Sequence, residues 1–294
     1  MNASKLRTSL LIFLLLSSLL LSLTGCSTES AGTMVSKTHS ITENFTHISV
    51  ECSECHVSIL PSSDGSVSVV CKEREKYPHM VYVAKGSLVV EEPSRTELMN
   101  ILALGGEHTE VTVYVPAELT ENYSLTLESA SGNITVDKAF SFREGELETA
   151  SGDVTCSASF TEELSVETAS GKVLIDGESY GEIEVDNASG DMCLSKLHCK
   201  ELTAESASGD LTLEEVLADR EIHGETASGK ISLYRCDAGS FELETASGNI
   251  EGSVCNPMRF ITETGSGRVN VPNTDGNPCR LTTASGNIHV EIDP

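Results

Sequence analysis

The chain has 294 residues, with 45 Asp and Glu against 19 Lys and Arg, a formal net charge of −26, 4% aromatic residues and no tryptophan. A surface of that sign argues against nucleic acid as a partner, and so few aromatics argue against an extended stacking platform for sugar rings. Cations, basic proteins, cationic peptides or solubility alone are the roles left for such a charge.

The first 26 residues carry Lys5 and Arg7, an apolar run from Leu10 to Leu23 broken only by serines, and then Thr24-Gly25-Cys26. Charge, apolar run and small residues in that order predict a secretory leader over residues 1–25. Its apolar run is shorter than the ~20 residues of a spanning helix. The Leu-Thr-Gly-Cys ending resembles the lipobox of bacterial lipoproteins, which implies a diacylglyceryl thioether on Cys26 and lipid anchoring outside the cytoplasmic membrane. Residues 26–40 are rich in Ser and Thr and are expected to form a flexible tether.

Residues 41–119 hold strand-like runs at Ile48–Val50, Val57–Leu60, Val67–Cys71, Val81–Val83, Leu88–Val90 and Val111–Val115. They are expected to form irregular coils that cap the rest of the chain, or else a separate small β domain. Cys52 and Cys55 form a CxxC pair followed by His56, with Cys71 further on. Zinc or redox chemistry calls for a second ligand pair at standard spacing or a thioredoxin-like βαβ context, and the sequence offers neither, so local disulfides or free thiols are expected.

From residue 120 to 294 one phrase recurs nine times: an acidic residue, Thr/Ser/Asn, Ala, Ser, Gly, a polar residue and an aliphatic one. Its glycines are Gly132, Gly152, Gly171, Gly190, Gly209, Gly229, Gly248, Gly267 and Gly286, always 19 or 20 residues apart. A fixed short period marks units that cannot bury their own apolar faces and must stack. Two and four residues after each Gly the chain is mostly aliphatic, as in Ile134 and Val136 or Leu211 and Leu213, and a matching alternation precedes the turn at Leu164 and Val166. Two short half-buried strands thus flank each Ala-Ser-Gly corner. An all-β, right-handed parallel β-solenoid is predicted, with nine coils spanning roughly 43 Å at ~4.8 Å per rung. The corner glycines are read as supplying positive φ. The competing reading, an antiparallel meander with each corner a hairpin loop, needs an equally regular second turn, and the segments between repeats share little sequence.

Glu128, Glu148, Glu167, Asp186, Glu205, Glu225, Glu244 and Glu263 stand four residues before their glycines, with Thr282 breaking the column. Parity points them outward, as a ladder open to a cation or a basic partner. Calcium is the ion such oxygens favour, although the pattern matches no EF-hand or RTX loop, and Lys172, Lys230 and Arg268 are placed to offset part of the repulsion. Cys236 and Cys255 each lie seven residues after a Gly, so stacking predicts adjacent rungs and a disulfide. The corner serines lack an accompanying histidine and carboxylate, GxSxG does not occur, and no HExxH or HxxxH pair is present.

The tethered start, the run FTHISVECSECHVSILPSSDGSVSVV, the strand ending VTVYVP and the reiterated corners together resemble the bacterial putative-adhesin domain family. The resemblance covers roughly residues 41–294. It implies an extracytoplasmic β-solenoid, related to LiaG-like proteins of cell-envelope stress operons, and brings no catalytic motif. The expected function is a non-enzymatic envelope lipoprotein that presents a rigid acidic rod to an envelope protein, a cationic peptide or a foreign surface. A calcium-dependent polysaccharide lyase and an inert spacer are the alternatives, and self-association is expected at the final rung, where Glu291 and Asp293 alone guard the edge.

Overall fold

The computed structural model describes residues 33–92, 108–178 and 181–294. The leader, Cys26 and the first part of the tether lie outside the described residues. Two parallel sheets run the length of the molecule, one from the strands that precede each corner and one from the strands that follow it. In the second sheet Ile134, Val154, Val173, Met192 and Leu211 stack in register, and all are buried. In the first, Leu164, Ile183, Leu202 and Ile222 do the same. The solenoid expected from the repeat is present.

The corner owes its composition to close approach between rungs. A Cβ on Gly171 would lie 1.6 Å from the carbonyl oxygen of Gly152, and one on Gly209 would lie 1.8 Å from that of Gly190. None of the nine corner glycines has positive φ, which corrects the expectation: glycine is needed there for space. Three residues earlier stands the buried Thr, Ser or Asn. Thr226 Oγ1 donates to the Gly209 carbonyl (3.2 Å) and accepts from the Gly229 N–H (3.0 Å), so one hydroxyl ties two rungs together. Thr149, Thr245 and Thr283 repeat the arrangement. Thr226→Val keeps the shape and strands two buried backbone groups, so a loss of about 2–4 kcal/mol is expected, to be read by urea denaturation.

A second corner follows six residues after several glycines, at Lys196 (φ 56°), Glu215 (φ 53°) and Arg235 (φ 53°), with Gly177 in the corresponding place. The regular second turn exists, then, in backbone conformation and not in residue type. The segment beyond it adds a third inward column in which Phe142 stacks on Phe160 (centroids 5.7 Å apart) and Cys199, Ala218 and Ala238 continue.

Both ends of the stack are threaded out of chain order. At the N-terminal end β1 (Met34–Ile41), β2 (His47–Cys52), β3 (Cys55–Pro61), β4 (Val67–Arg74), β5 (Met80–Ala84), β6 (Ser87–Glu91) and β7 (Thr109–Val115) build the cap. β2 and β3 pair with the Gly132 rung on one side and with β6 and β7 on the other, so the earliest coil lies one rung in. β4 and β1 then close one sheet edge in antiparallel fashion and β5 closes the other. Residues 34–40, expected to belong to the flexible tether, are in fact this edge strand. They are held by main-chain pairing with β4, which the Ser/Thr-rich composition did not reveal.

The C-terminal end mirrors this. Residues 277–283 and 288–292 insert between the Gly248 rung and the Gly267 rung. The final rung is therefore the Gly267 one, with Ile261 and Val269 exposed, and the chain's last strand is interior. This corrects the expected open edge at Glu291 and Asp293. Among the described residues no helix is long and apolar enough to cross a membrane.

Candidate functional site: an acidic sheet face

Strand parity turns the residue one place before each buried Thr/Ser/Asn outward, and parallel pairing sets these residues side by side. Glu128, Glu148, Glu167, Asp186, Glu205, Glu225 and Glu244 are successive register partners. The column runs further than the repeat suggested, because Glu51 pairs with Glu128 and Glu91 with Glu51. At the other end the threaded terminus places Thr282 between Glu244 and Glu263, so the break falls inside the ladder.

A second acidic column lies four residues earlier, eight before the glycines from Gly152 to Gly229: Glu144, Glu163, Glu182, Glu201 and Glu221 are also register partners. Its signal in the sequence is that fixed offset, which the irregular segments between repeats obscure. Glu146, Glu184 and Glu242 stand between the columns. Glu163, Glu182, Glu184, Glu201 and Thr203 line a shallow depression over Ile183.

The charges on this face are unevenly balanced. Arg220 reaches Glu201 (3.2 Å) and Glu182 (3.7 Å), and Arg143 reaches Glu144 (2.6 Å) and Glu162 (3.0 Å), all at the outer column or beside it. At the inner ladder His223 lies 3.9 Å from Glu205 and also 3.9 Å from Glu242. Lys230, expected to offset the ladder, instead pairs with Glu251 on the other sheet. Carboxylates a rung apart, ~5 Å, repel by about 0.8 kcal/mol even at the dielectric of water, and they are partly shielded from solvent. Burial, reinforced by Glu167, Glu128 and Glu146, pushes Glu148 up to about 7. Burial with Glu205, Glu184 and Glu167 pushes Asp186 up to about 7 as well. Glu128, Glu167 and Glu205 are raised by the same causes.

One nitrogen enters the ladder's donor set. Glu205, His223 and Glu225 bring ligand atoms within 4.8 Å of one another, a mixed N/O set better suited to a borderline transition ion than to calcium, which takes six to eight oxygens. Cys236 and Cys255 occupy adjacent rungs as free cysteines. Cys236 pairs in register with Val254, one place short of Cys255, after a bulge. That offset turns the two side chains to different faces: Cys236 is fully buried with Sγ 3.4 Å from the Leu213 carbonyl, and Cys255 Sγ lies 3.1 Å from the Arg235 carbonyl near the surface.

Similar architecture occurs in solved structures. A putative adhesin from Parabacteroides merdae ATCC 43184 has a TM-score of 0.52 at 11% identity, over 89% of this chain and 97% of that one. A putative adhesin from Bacteroides fragilis NCTC 9343 gives 0.47 at 12% identity over 88% and 97%. A putative lipid binding protein from Parabacteroides distasonis ATCC 8503 gives 0.45 at 15% identity over 86% and 96%. At 11% identity the likeness to the Parabacteroides merdae protein concerns the fold alone. No curated protein matches the sequence significantly. The family described as Toastrack DUF4097 matches residues 45–291.

Proposed function

The chain belongs to the Toastrack DUF4097 family, and from that premise together with its acidic face we propose that it is a non-enzymatic, adhesin-like binding protein of the cell envelope. The observation that carries this reading is the ladder itself. Its carboxylates repel one another along a rigid sheet, and their pKa values are raised at its centre. A partner carrying cations at a similar spacing relieves that repulsion, so binding and stabilisation are linked. Cationic peptides and basic patches of envelope proteins are the partners with this chemistry. The carboxylates form uniform columns and not a local cluster around a base, which favours recognition over bond cleavage. In this reading Cys26 carries the lipid that holds the rod at the membrane, and residues 1–25 are the leader that delivers it.

The test is photo-crosslinking in cells from positions 167 and 186, with and without a calcium chelator, followed by mass spectrometry of captured species. Capture of one defined basic protein or peptide is expected. It should disappear when Glu148, Glu167, Asp186 and Glu205 are replaced by their amides. Capture that is unaffected by those replacements, or none at all, overturns the proposal.

A further inference from the structure

A group of buried cysteines under the N-terminal cap has no part in the acidic face. The first coil uses the corner geometry with different residues. Cys52 is the register partner of Ser129, and the Cys55 carbonyl occupies the place that corner glycines fill in later rungs: the Ser129 hydroxyl donates to it at 2.9 Å, and a Cβ on Gly132 would meet it at 1.7 Å. Cys52-Ser53-Glu54-Cys55 is thus this coil's version of Thr-Ala-Ser-Gly. Both of its thiols are buried, at 7% and 0% exposure.

The cap folds two more donors onto this corner. β4 carries Cys71 and Glu73, both fully buried, and the turn after it returns His79, which is 5% exposed. Ligand atoms of Cys71, Glu73 and His79 all lie within 4.8 Å of one another. Glu73 Oε2 accepts from the His79 backbone N–H (2.6 Å) and lies 3.0 Å from His79 Nδ1, while Oε1 is 2.9 Å from Lys37 Nζ. The carboxylate therefore fixes the tautomer with the proton on Nδ1 and leaves the Nε2 lone pair free. His79 Nε2 is buried and has no hydrogen-bond partner among the described residues. A carboxylate that orients a histidine through one ring nitrogen while the other faces thiols is the arrangement found around metal-binding histidines.

We propose that Cys52, Cys55, Cys71 and His79 form a structural site for a zinc-class divalent ion, with Glu73 as the positioning residue for His79. The sequence offers no second ligand pair at a standard spacing, but the antiparallel return of β4 supplies one. Three thiolates and an imidazole are the donors of a closed tetrahedral site. Binding exchanges three thiol protons for the ion and staples β2, β3, β4 and the His79 turn, the elements that seal the end of the stack. The Cys55 side chain lies against those of Cys52 and His79, which sets the CxxC corner beside the donors that β4 and its turn bring in.

The test uses the full chain, purified reduced and without oxygen, and titrated with cobalt(II). Uptake of one equivalent is expected, with the strong visible bands of tetrahedral cobalt, a thiolate charge-transfer band in the near ultraviolet, and bleaching of both by zinc. Cys71→Ser and His79→Ala should each weaken uptake by at least ~10-fold, and Glu73→Gln by roughly 10–100-fold, while Cys193→Ser should leave it unchanged. Absence of the tetrahedral thiolate spectrum in the unmodified protein overturns the proposal even if the variants fold poorly. So does a Cys52–Cys55 disulfide in protein recovered from the cell, or wild-type uptake by Cys71→Ser.

Discussion

Gly209→Ala is expected to abolish cooperative folding of the solenoid. The added methyl would stand 1.8 Å from the Gly190 carbonyl oxygen, 2.6 Å from its carbon and 3.2 Å from the Asp191 nitrogen. All three are backbone atoms, so no side chain can rotate away. The rungs would have to part by more than ~1 Å against a pairing distance of ~4.8 Å, which breaks strand pairing on both sides of the corner. A cost above about 4–5 kcal/mol places the change among the most severe single substitutions. The neighbouring Ser208→Ala alters an exposed corner side chain and should stay within about 0.5 kcal/mol. Gly65→Ala is a further contrast: it has positive φ (+75°) and nothing within 4 Å, so strain of roughly 1 kcal/mol is all it should cost. Thermal melts followed by circular dichroism separate the three. A Gly209→Ala protein that melts within a few degrees of the parent would refute the close-approach account of the corner.

The repeat made the stack, its inward pairs and its outward acidic column readable, because each is a fixed offset from a glycine and parallel stacking preserves offsets. Offsets do not encode which rung lies beside which. The Gly267 and Gly286 units present nearly the same corner, so nothing in their period says that the later one slips inside the earlier one. The exposed Ile261 and Val269 of the outer rung are the trace that this order leaves. The second corner was hidden because its backbone conformation is taken up by Lys196, Glu215 and Arg235, residues that carry no turn signature. The cap followed the same logic. Cys52 and Cys55 sit at a recognisable corner, but Cys71, Glu73 and His79 are gathered by an antiparallel strand and its turn, which the solenoid period does not describe. Cys236 and Cys255 failed for the complementary reason, since equal offsets from their glycines were undone by a bulge between Leu233 and Cys236.

The acidic ladder should make the protein more stable near pH 5 than at pH 8. Glu148 and Asp186, ordinarily acidic groups, are each raised to about 7 in the folded chain, and Glu128, Glu167 and Glu205 are raised too. A carboxyl whose folded pKa lies above its unfolded value binds its proton more tightly in the native state. Its contribution is full below the unfolded pKa, near 4, and is lost as pH rises through about 7. Glu73, lowered by Lys37 and His79 despite its burial, has the opposite sign and loses stability as pH falls, which sets the lower limit of the window. The ladder groups are about half shielded, so after discounting for solvent roughly 1 kcal/mol each is a fair scale, and a fall of about 5 °C or more in Tm from pH 5 to pH 8 is expected. The Glu148→Gln, Asp186→Asn double variant should flatten that slope. Added salt should raise Tm at pH 8 and leave it nearly unchanged at pH 5. A Tm that rises steadily from pH 5 to 8 in the parent would show that neighbouring rungs do not strain one another. Binding must follow the same curve: a cationic partner gains most where the ladder is fully ionised, so its affinity should increase from pH 5 to pH 8 and fall with salt. A partner held through apolar contacts would show neither dependence, and the two titrations together therefore discriminate between charge recognition and simple adhesion to the rod.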